Sequence, residues 1–177
     1  GTLSEITTLY SANSAGTISG LGNETIKVTG GGTITSADLA TLDGYTTGTV
    51  SVSTTSTTLS ASSLNTLDGD STEVVDASTV TTLTGSAADM NTAYASSGIS
   101  GLGDEAVTLT DTSLSATTLT TLDGNTSGTI DATSVTNLTG STAEITSLTE
   151  STGITFGTNV GGVINDVSVS ATALNAL

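Results

Sequence analysis

The sequence predicts an α/β repeat solenoid in which short parallel strands alternate with short capped helices, on a superrepeat of about 55 residues. Three observations carry this expectation. Long segments recur at a fixed offset. Apolar residues fall at i, i+3 and i+6 behind a Ser, Thr or Asp. Between those triplets the apolar period drops from three to two.

The offset is read directly. Ser60–Gly69 (SASSLNTLDG) returns as Ser115–Gly124 (SATTLTTLDG), an offset of 55 positions, and Asp76–Gly85 (DASTVTTLTG) returns as Asp131–Gly140 (DATSVTNLTG) at the same offset. Ser170–Leu174 lies one further offset beyond Ser115. Near the N-terminus Ser19-Gly20-Leu21-Gly22-Asn23-Glu24 returns as Ser100-Gly101-Leu102-Gly103-Asp104-Glu105.

Nine triplets predict nine helices of about two turns: Leu3-Ile6-Leu9, Ser36-Leu39-Leu42, Ala61-Leu64-Leu67, Ala77-Val80-Leu83, Ala87-Met90-Ala93, Ala116-Leu119-Leu122, Ala132-Val135-Leu138, Thr142-Ile145-Leu148 and Ala171-Leu174-Leu177. Each follows a residue whose side chain accepts from the free N–H groups of a first helical turn: Thr2, Thr35, Ser60, Asp76, Ser86, Ser115, Asp131, Ser141 and Ser170. Gly44, Gly69, Gly85, Gly124 and Gly140 stand where a left-handed glycine would end the helix. Helices this short are unstable alone and hold only by laying the apolar stripe on a neighbour.

Ile26/Val28, Val50/Val52, Val107/Leu109 and Val167/Val169 alternate with polar residues, the pattern of half-buried strands. Val74-Val75-Asp76 and Thr129-Ile130-Asp131 read as brief strands running into capped helices. The alternative, an all-β Thr-rich sandwich, conflicts with the three-residue spacing. The array is expected to fill residues 1–177, with an irregular unit over 1–59, full units over 60–114 and 115–169, and the start of another at 170–177. Neither end carries a recognisable capping repeat, so the array is expected either to continue into a longer one or to have its ends covered by neighbouring copies.

Composition excludes much chemistry. The chain has no Cys, His, Pro or Trp, and its one basic residue, Lys27, stands against 17 acids for a net charge of −16. So acidic a chain has no cations with which to displace counterions from nucleic acid or to meet an anionic membrane surface. No apolar run approaches the length of a membrane span. Zinc sites built on Cys or His are excluded, as are disulfides. Mean hydropathy of +0.21 and 34% hydrophobic residues separate the chain from acidic disordered tails. Aromatic content of 2% suits a narrow core filled by Leu, Val, Ile, Ala and Thr.

Candidate sites are few, and the chain is read as no enzyme. A hydrolytic triad lacks its imidazole, and a Ser–Lys pair would rest on Lys27, set in an alternating strand and read as solvent-facing. Asp104-Glu105 and Asp68/Asp70 sit in repeated turns with no aromatic platform for a sugar. Gly20-Leu21-Gly22 and Gly30-Gly31-Gly32 read as turns, because neither has the third glycine of a dinucleotide fingerprint.

One stretch resembles the start of an EF-hand or dockerin calcium loop. Asp123, Asn125 and Ser127 supply oxygens at positions one, three and five, Gly128 occupies six, Ile130 eight and Asp131 nine. Position twelve is Ser134, where the family carries an acidic ligand. The sister loop at Asp68, Asp70 and Asp76 puts Glu73 where the glycine belongs. Calcium is therefore the one cofactor the residues raise. The competing reading makes Asp123 a turn residue and Asp131 a helix cap.

Thr121–Ala132 (TLDGNTSGTIDA) and Val135–Gly140 (VTNLTG) resemble the giant repetitive cell-surface proteins of marine cyanobacteria, of the swimming-associated type, and more broadly large secreted Gly/Thr/Asp-rich bacterial adhesins. The resemblance implies an extracellular, structural role, often with calcium, and carries over no catalytic residue. The Gly-Gly-x-Gly-x-Asp calcium repeat of toxin-like secreted proteins is missing. The expectation is a cell-surface layer, spacer or filament built by stacking of coils, associating with copies of itself head-to-tail or laterally or with flanking repeats. The alternative is a calcium-stiffened adhesin that contacts a surface through loops such as 94–104.

Overall fold

A computed structural model of the chain describes residues 1–29, 36–54, 56–71 and 74–170, apart from the side chains of residues 36, 37, 39 and 70. Over these residues the chain is α/β, with strands in parallel sheets alternating with short helices.

Four of the helices begin where a hydroxyl takes up a free first-turn N–H. In α1 (Leu3–Ser14) the Thr2 hydroxyl accepts from the Glu5 N–H at 3.3 Å, and the Glu5 carboxylate accepts from the Thr2 N–H at 2.8 Å. The same reciprocal box opens α6 (Thr142–Thr149) between Ser141 and Glu144. Ser86 accepts from the Asp89 N–H at 3.1 Å to open α4 (Ala87–Ala95), and Ser115 from the Thr118 N–H at 3.1 Å to open α5 (Ala116–Asn125). The remaining two are α2 (Ser36–Asp43) and α3 (Ala61–Asp70).

The strands are β1 (Ile26–Thr29), β2 (Val50–Ser53), β3 (Thr58–Ser60), β4 (Val75–Asp76), β5 (Thr82–Gly85), β6 (Ile99–Ser100), β7 (Ala106–Leu109), β8 (Ser113–Ser115), β9 (Ile130–Ala132), β10 (Asn137–Gly140), β11 (Ile154–Phe156) and β12 (Gly161–Ile164). They form three sheets, ordered β1-β2-β4-β6, β11-β9-β7-β5-β3 and β12-β10-β8. Paired residues are 23 or 24 positions apart: Ile26 with Val50, Ser53 with Asp76, Val75 with Ile99, Thr82 with Ala106, Val107 with Ile130, Ile130 with Ile154, Ser113 with Asn137 and Asn137 with Gly161. Parallel neighbours need such a long return, and here it carries a helix or a further strand.

The chain divides into two compact units. The first comprises Gly1–Leu59, Ser63–Val80 and Ser96–Leu102; the second comprises Ser60–Ser62, Thr81–Ala95 and Gly103–Leu177. In the first, Ile6 and Tyr10 of α1 bury against Ile26, Val28, Leu42, Val50 and Val52, and Tyr10 stacks on Tyr45 with ring centroids 4.9 Å apart. In the second, α4 packs on α5 and α5 on α6, and Leu83, Met90, Leu119, Leu122, Ile130 and Leu138 are fully buried. Each such side chain contributes roughly 1.5–3 kcal/mol, which is what holds helices too short to stand alone.

Several expectations are corrected. No helix follows Asp76 or Asp131. Ala77-Val80-Leu83 and Ala132-Val135-Leu138 run from a strand through a tight turn into β5 and β10. The Asp76 carboxylate accepts from the Ser78 N–H at 3.1 Å, and that of Asp131 from the Thr133 N–H at 3.0 Å, two residues on in each case. That is an Asx turn, which offers the backbone an alternative to the helix. The other triplets from Leu3 to Leu148 lie in α1 to α6, and the ninth lies outside the described residues. Val167 and Val169 belong to no strand, and both are exposed. Of the five glycines expected to end helices, Gly69 and Gly124 lie inside α3 and α5, Gly85 and Gly140 end strands, and Gly44 follows α2 without positive φ. The left-handed glycine that does close a helix is Gly16, at φ +73° after α1.

Candidate functional site

The most developed polar constellation recurs once in each unit. In the second, the Glu105 side chain has no exposed surface. Its carboxylate accepts from the Tyr94 hydroxyl at 2.9 Å and from the Gly103 N–H at 2.9 Å. Its own carbonyl accepts from the Thr126 hydroxyl at 3.0 Å, and Thr126 in turn accepts from the Gly128 N–H at 3.0 Å. In the first unit, the half-buried Glu24 accepts from Tyr10 (3.1 Å), Gly22 N–H (2.7 Å) and Asn23 N–H (3.2 Å). Thr46 donates to the Glu24 carbonyl at 2.7 Å and accepts from Gly48 at 2.9 Å. A buried carboxylate without a cation is tolerable only when donors replace its water, and these clamps supply them.

Local sequence builds the clamp. Gly22 and Gly103 sit at φ of +136° and +139°, which lets the turn fold its N–H back onto the glutamate two residues on. Gly48 and Gly128 lie against the glutamate backbone so closely that an added Cβ would come within 2.4 Å and 2.1 Å of the Glu24 and Glu105 carbonyl oxygens. The Gly22 N–H is the main cause that holds the Glu24 carboxyl below its usual range. Burial raises the Tyr94 and Tyr10 phenols, so both remain donors at neutral pH.

The Ser/Thr-x-Gly unit is used twice more. Ser96 donates to Asp68 at 2.6 Å and accepts from the Gly98 N–H at 3.0 Å. Ser151 donates to Asp123 at 3.2 Å and accepts from the Gly153 N–H at 3.3 Å. Carboxylates also take up helix N-termini: Asp111 accepts from the Ala87 N–H at 2.8 Å, and Asp166 from the Thr142 N–H at 2.7 Å and from the Thr142 hydroxyl.

The residues of the suggested calcium loops are placed as follows. Asp123 faces Ser151; Asn125 donates to the Asn91 side chain at 2.9 Å; Ser127 donates to the Gly103 carbonyl at 3.2 Å; and Asp131 closes its turn on Thr133. Asp68 accepts from Ser96, whereas Asp76 accepts from Ser78 and Ser53 and meets Lys27 at 3.6 Å. The Asp70 side chain, like Glu73, lies outside the described residues. Among the described residues no group of three or more carboxylates is gathered to hold a metal ion. A groove of about 660 Å³ in the second unit is lined by α6 together with Asp166 and Ser168, Val169 and Ser170.

The described residues of the clamps and of the suggested calcium loops are each engaged by another part of the chain. None of the hydroxyls in the clamps has an imidazole or amine beside it. The only basic side chain, Lys27, is exposed and paired with Asp76. Reading Asp104-Glu105 as an ordinary repeated turn misses the clamp. The available signal is the shared order of parts: Tyr10 and Tyr94 ahead of Gly-Leu-Gly-Asn/Asp-Glu, then Thr46-x-Gly48 and Thr126-x-Gly128 behind.

Compared with family models, with curated proteins and with solved structures, the chain finds no match. The class defined by fold and site is therefore the physical one: an α/β chain of parallel strands in which the carboxylates and hydroxyls of the clamps are engaged internally. Among the described residues no helix is long and apolar enough to cross a membrane.

Proposed function

We propose that this chain is a structural repeat protein of the cell exterior, serving as a layer, spacer or filament in which successive coils lie on one another. The observation that carries the reading is the strand register, where partner after partner is 23 or 24 positions away. A chain that returns to the same sheet at that interval adds one strand per return, which is how a solenoid grows.

The spacing of whole elements supports the superrepeat. α3 starts at Ala61 and α5 at Ala116, β5 at Thr82 and β10 at Asn137, α4 at Ala87 and α6 at Thr142, each pair offset by 55 positions. The fastening chemistry keeps that spacing too, since Asp68, Ser96 and Gly98 correspond to Asp123, Ser151 and Gly153. A protein whose polar groups serve its own winding is suited to bearing load or filling space, and the reading assigns it no catalysis. The resemblance to bacterial surface repeats supports a location outside the cell.

Antibodies raised against the chain test this on source cells. Labelling of intact cells, with fibres of stacked subunits or long beaded chains seen by electron microscopy, is the expected result. Label that appears only after permeabilisation would overturn it.

A further inference from the structure

Residues 165–169 leave the end of β12 and pass the N-terminus of α6. Asn165 and Asp166 fasten them. The Asn165 N–H donates to the Gly140 carbonyl at 3.0 Å, and the Asp166 carboxylate accepts from the Thr142 N–H at 2.7 Å and from the Thr142 hydroxyl. Val167 next to them is fully exposed and anchors nothing. Ser168 and Val169 form one wall of the 660 Å³ groove whose other wall is Ala143, Thr146 and Ser147 of α6 with Glu150 just beyond its end.

An interior counterpart shows what is different here. Asp111, 24 residues after Ala87, accepts from the Ala87 N–H at 2.8 Å just as Asp166 does from Thr142. Its loop is also pinned by the next pass of the chain. Ser134 donates to the Asp111 carbonyl at 2.9 Å, and the Thr136 and Asn137 N–H groups donate to the Thr112 carbonyl at 2.9 and 3.1 Å. Among the described residues no later pass pins residues 165–169 in that way.

We infer that residues 165–169 are a strap latched across α6 by Asp166, and that acid opens the latch and with it the groove. The helix N-terminus favours the charged carboxylate, because two donors and the positive end of the helix dipole face it. Every other charge at this place is acidic. Glu144 lies two residues into α6, bonded to Ser141 and reached from α5 by the Thr117 hydroxyl at 3.0 Å, and Glu150 lines the groove. The second unit contains no basic side chain at all.

The Thr142 hydroxyl and N–H hold the Asp166 carboxyl below its ordinary value. Its folded value is therefore depressed, and the latch is at full strength above the unfolded carboxyl value of about 4 and fails as pH falls through the lower folded one.

Amide exchange of the whole chain, followed by NMR and corrected for intrinsic rates, tests this. Asp166→Asn at neutral pH is expected to lower protection of the Thr142 and Asn165 N–H groups by about tenfold or more, while Val107 and Leu119 stay within about twofold. Wild type titrated downward from about pH 4 is expected to develop the same local pattern as the pH passes through the lowered carboxyl value, and Asp111→Asn to leave the Asn137 N–H protected. Thr142→Val, which keeps the backbone donor, gives a partial loss and serves if Asp166→Asn does not fold. Unchanged protection at Asn165 in these variants, or an equal loss at Val107 in acid, would overturn the latch.

Discussion

The Thr126 hydroxyl donates to the Glu105 carbonyl at 3.0 Å while accepting from Gly128, so a single side chain stitches together backbone segments 21 residues apart. Thr46 does the same for Glu24 and Gly48. Valine has the shape of threonine and neither function. Thr126→Val is expected to cost about 1–3 kcal/mol in urea unfolding, since it strands a carbonyl and an N–H away from water.

Glu105 sets a second expectation. Tyr94→Phe removes one donor from a carboxylate with no exposed surface, whereas Tyr10→Phe removes one from the half-exposed Glu24, where water takes its place. Tyr94→Phe is expected to lower stability by about 1–3 kcal/mol and Tyr10→Phe by clearly less. Equal losses in chemical denaturation would show that burial of the carboxylate is not what matters.

Two glycines separate close approach from helix propensity. Gly128 has the Glu105 carbonyl within 2.1 Å of where a Cβ would stand, so Gly128→Ala must move backbone, with an expected cost of about 3 kcal/mol or more. Gly124 lies in α5 with nothing within 4 Å of its added Cβ. Gly124→Ala is expected to stabilise by up to about 1 kcal/mol. Thermal melts of the two variants should move in opposite directions.

Acid should weaken the fold despite relieving the repulsion of a −16 chain. Hydrogen bonds hold several carboxyls below their usual values: Glu24 through the Gly22 N–H, Asp76 chiefly through the Ser78 hydroxyl, Asp131 through Thr133 and Glu144 through the Ser141 N–H. Groups with depressed folded values stabilise above their unfolded values, near 4, and lose that contribution as pH falls through the folded ones. The melting temperature is therefore expected to be flat from about pH 7 to 5 and to fall below about pH 4. A rise in acid would mean that repulsion outweighs the local bonds.

Chelation addresses the calcium-stiffened alternative. Asp123, Asn125, Ser127 and Asp131 each already have a partner within the chain. EDTA is expected to shift the melting temperature by no more than about 1 °C, because a ligand stabilises only in proportion to its binding of the folded state. A drop of several degrees restored by calcium would favour the adhesin reading.

Much of the architecture was legible in the residues, and what was not has a physical cause. A hydroxyl three residues before its target N–H marked α4, α5 and α6, because a cap is a local interaction. The two segments that turn out not to be helices have the same i, i+3, i+6 pattern, and composition does not separate them: Ala132–Thr139 and the helical Ala116–Asp123 each contain four β-branched residues. Pairing with strands 24 positions away decides the outcome, as Thr82 with Ala106 and Asn137 with Gly161. That partner distance is not the offset of 55 positions at which the sequence visibly repeats. The candidate site was hidden for a similar reason. Asp123 and Asp131 looked like ligands because oxygen spacing was all the sequence displayed, while their actual donors, Ser151 and Thr133, follow from a fold or a turn.

Cysteine pairing tests the central claim most directly, because the chain has no cysteine of its own. Thr84 and Thr108 are register partners on adjacent parallel strands, a Cα separation of about 5 Å that a disulfide spans without strain. Thr84→Cys with Thr108→Cys should close quantitatively under mild oxidation in the folded, monomeric protein. Thr84→Cys with Thr139→Cys, a pair 55 positions apart in the sequence, should not. Crosslinking of the second pair and not the first would contradict a chain that returns to its sheet after 24 positions.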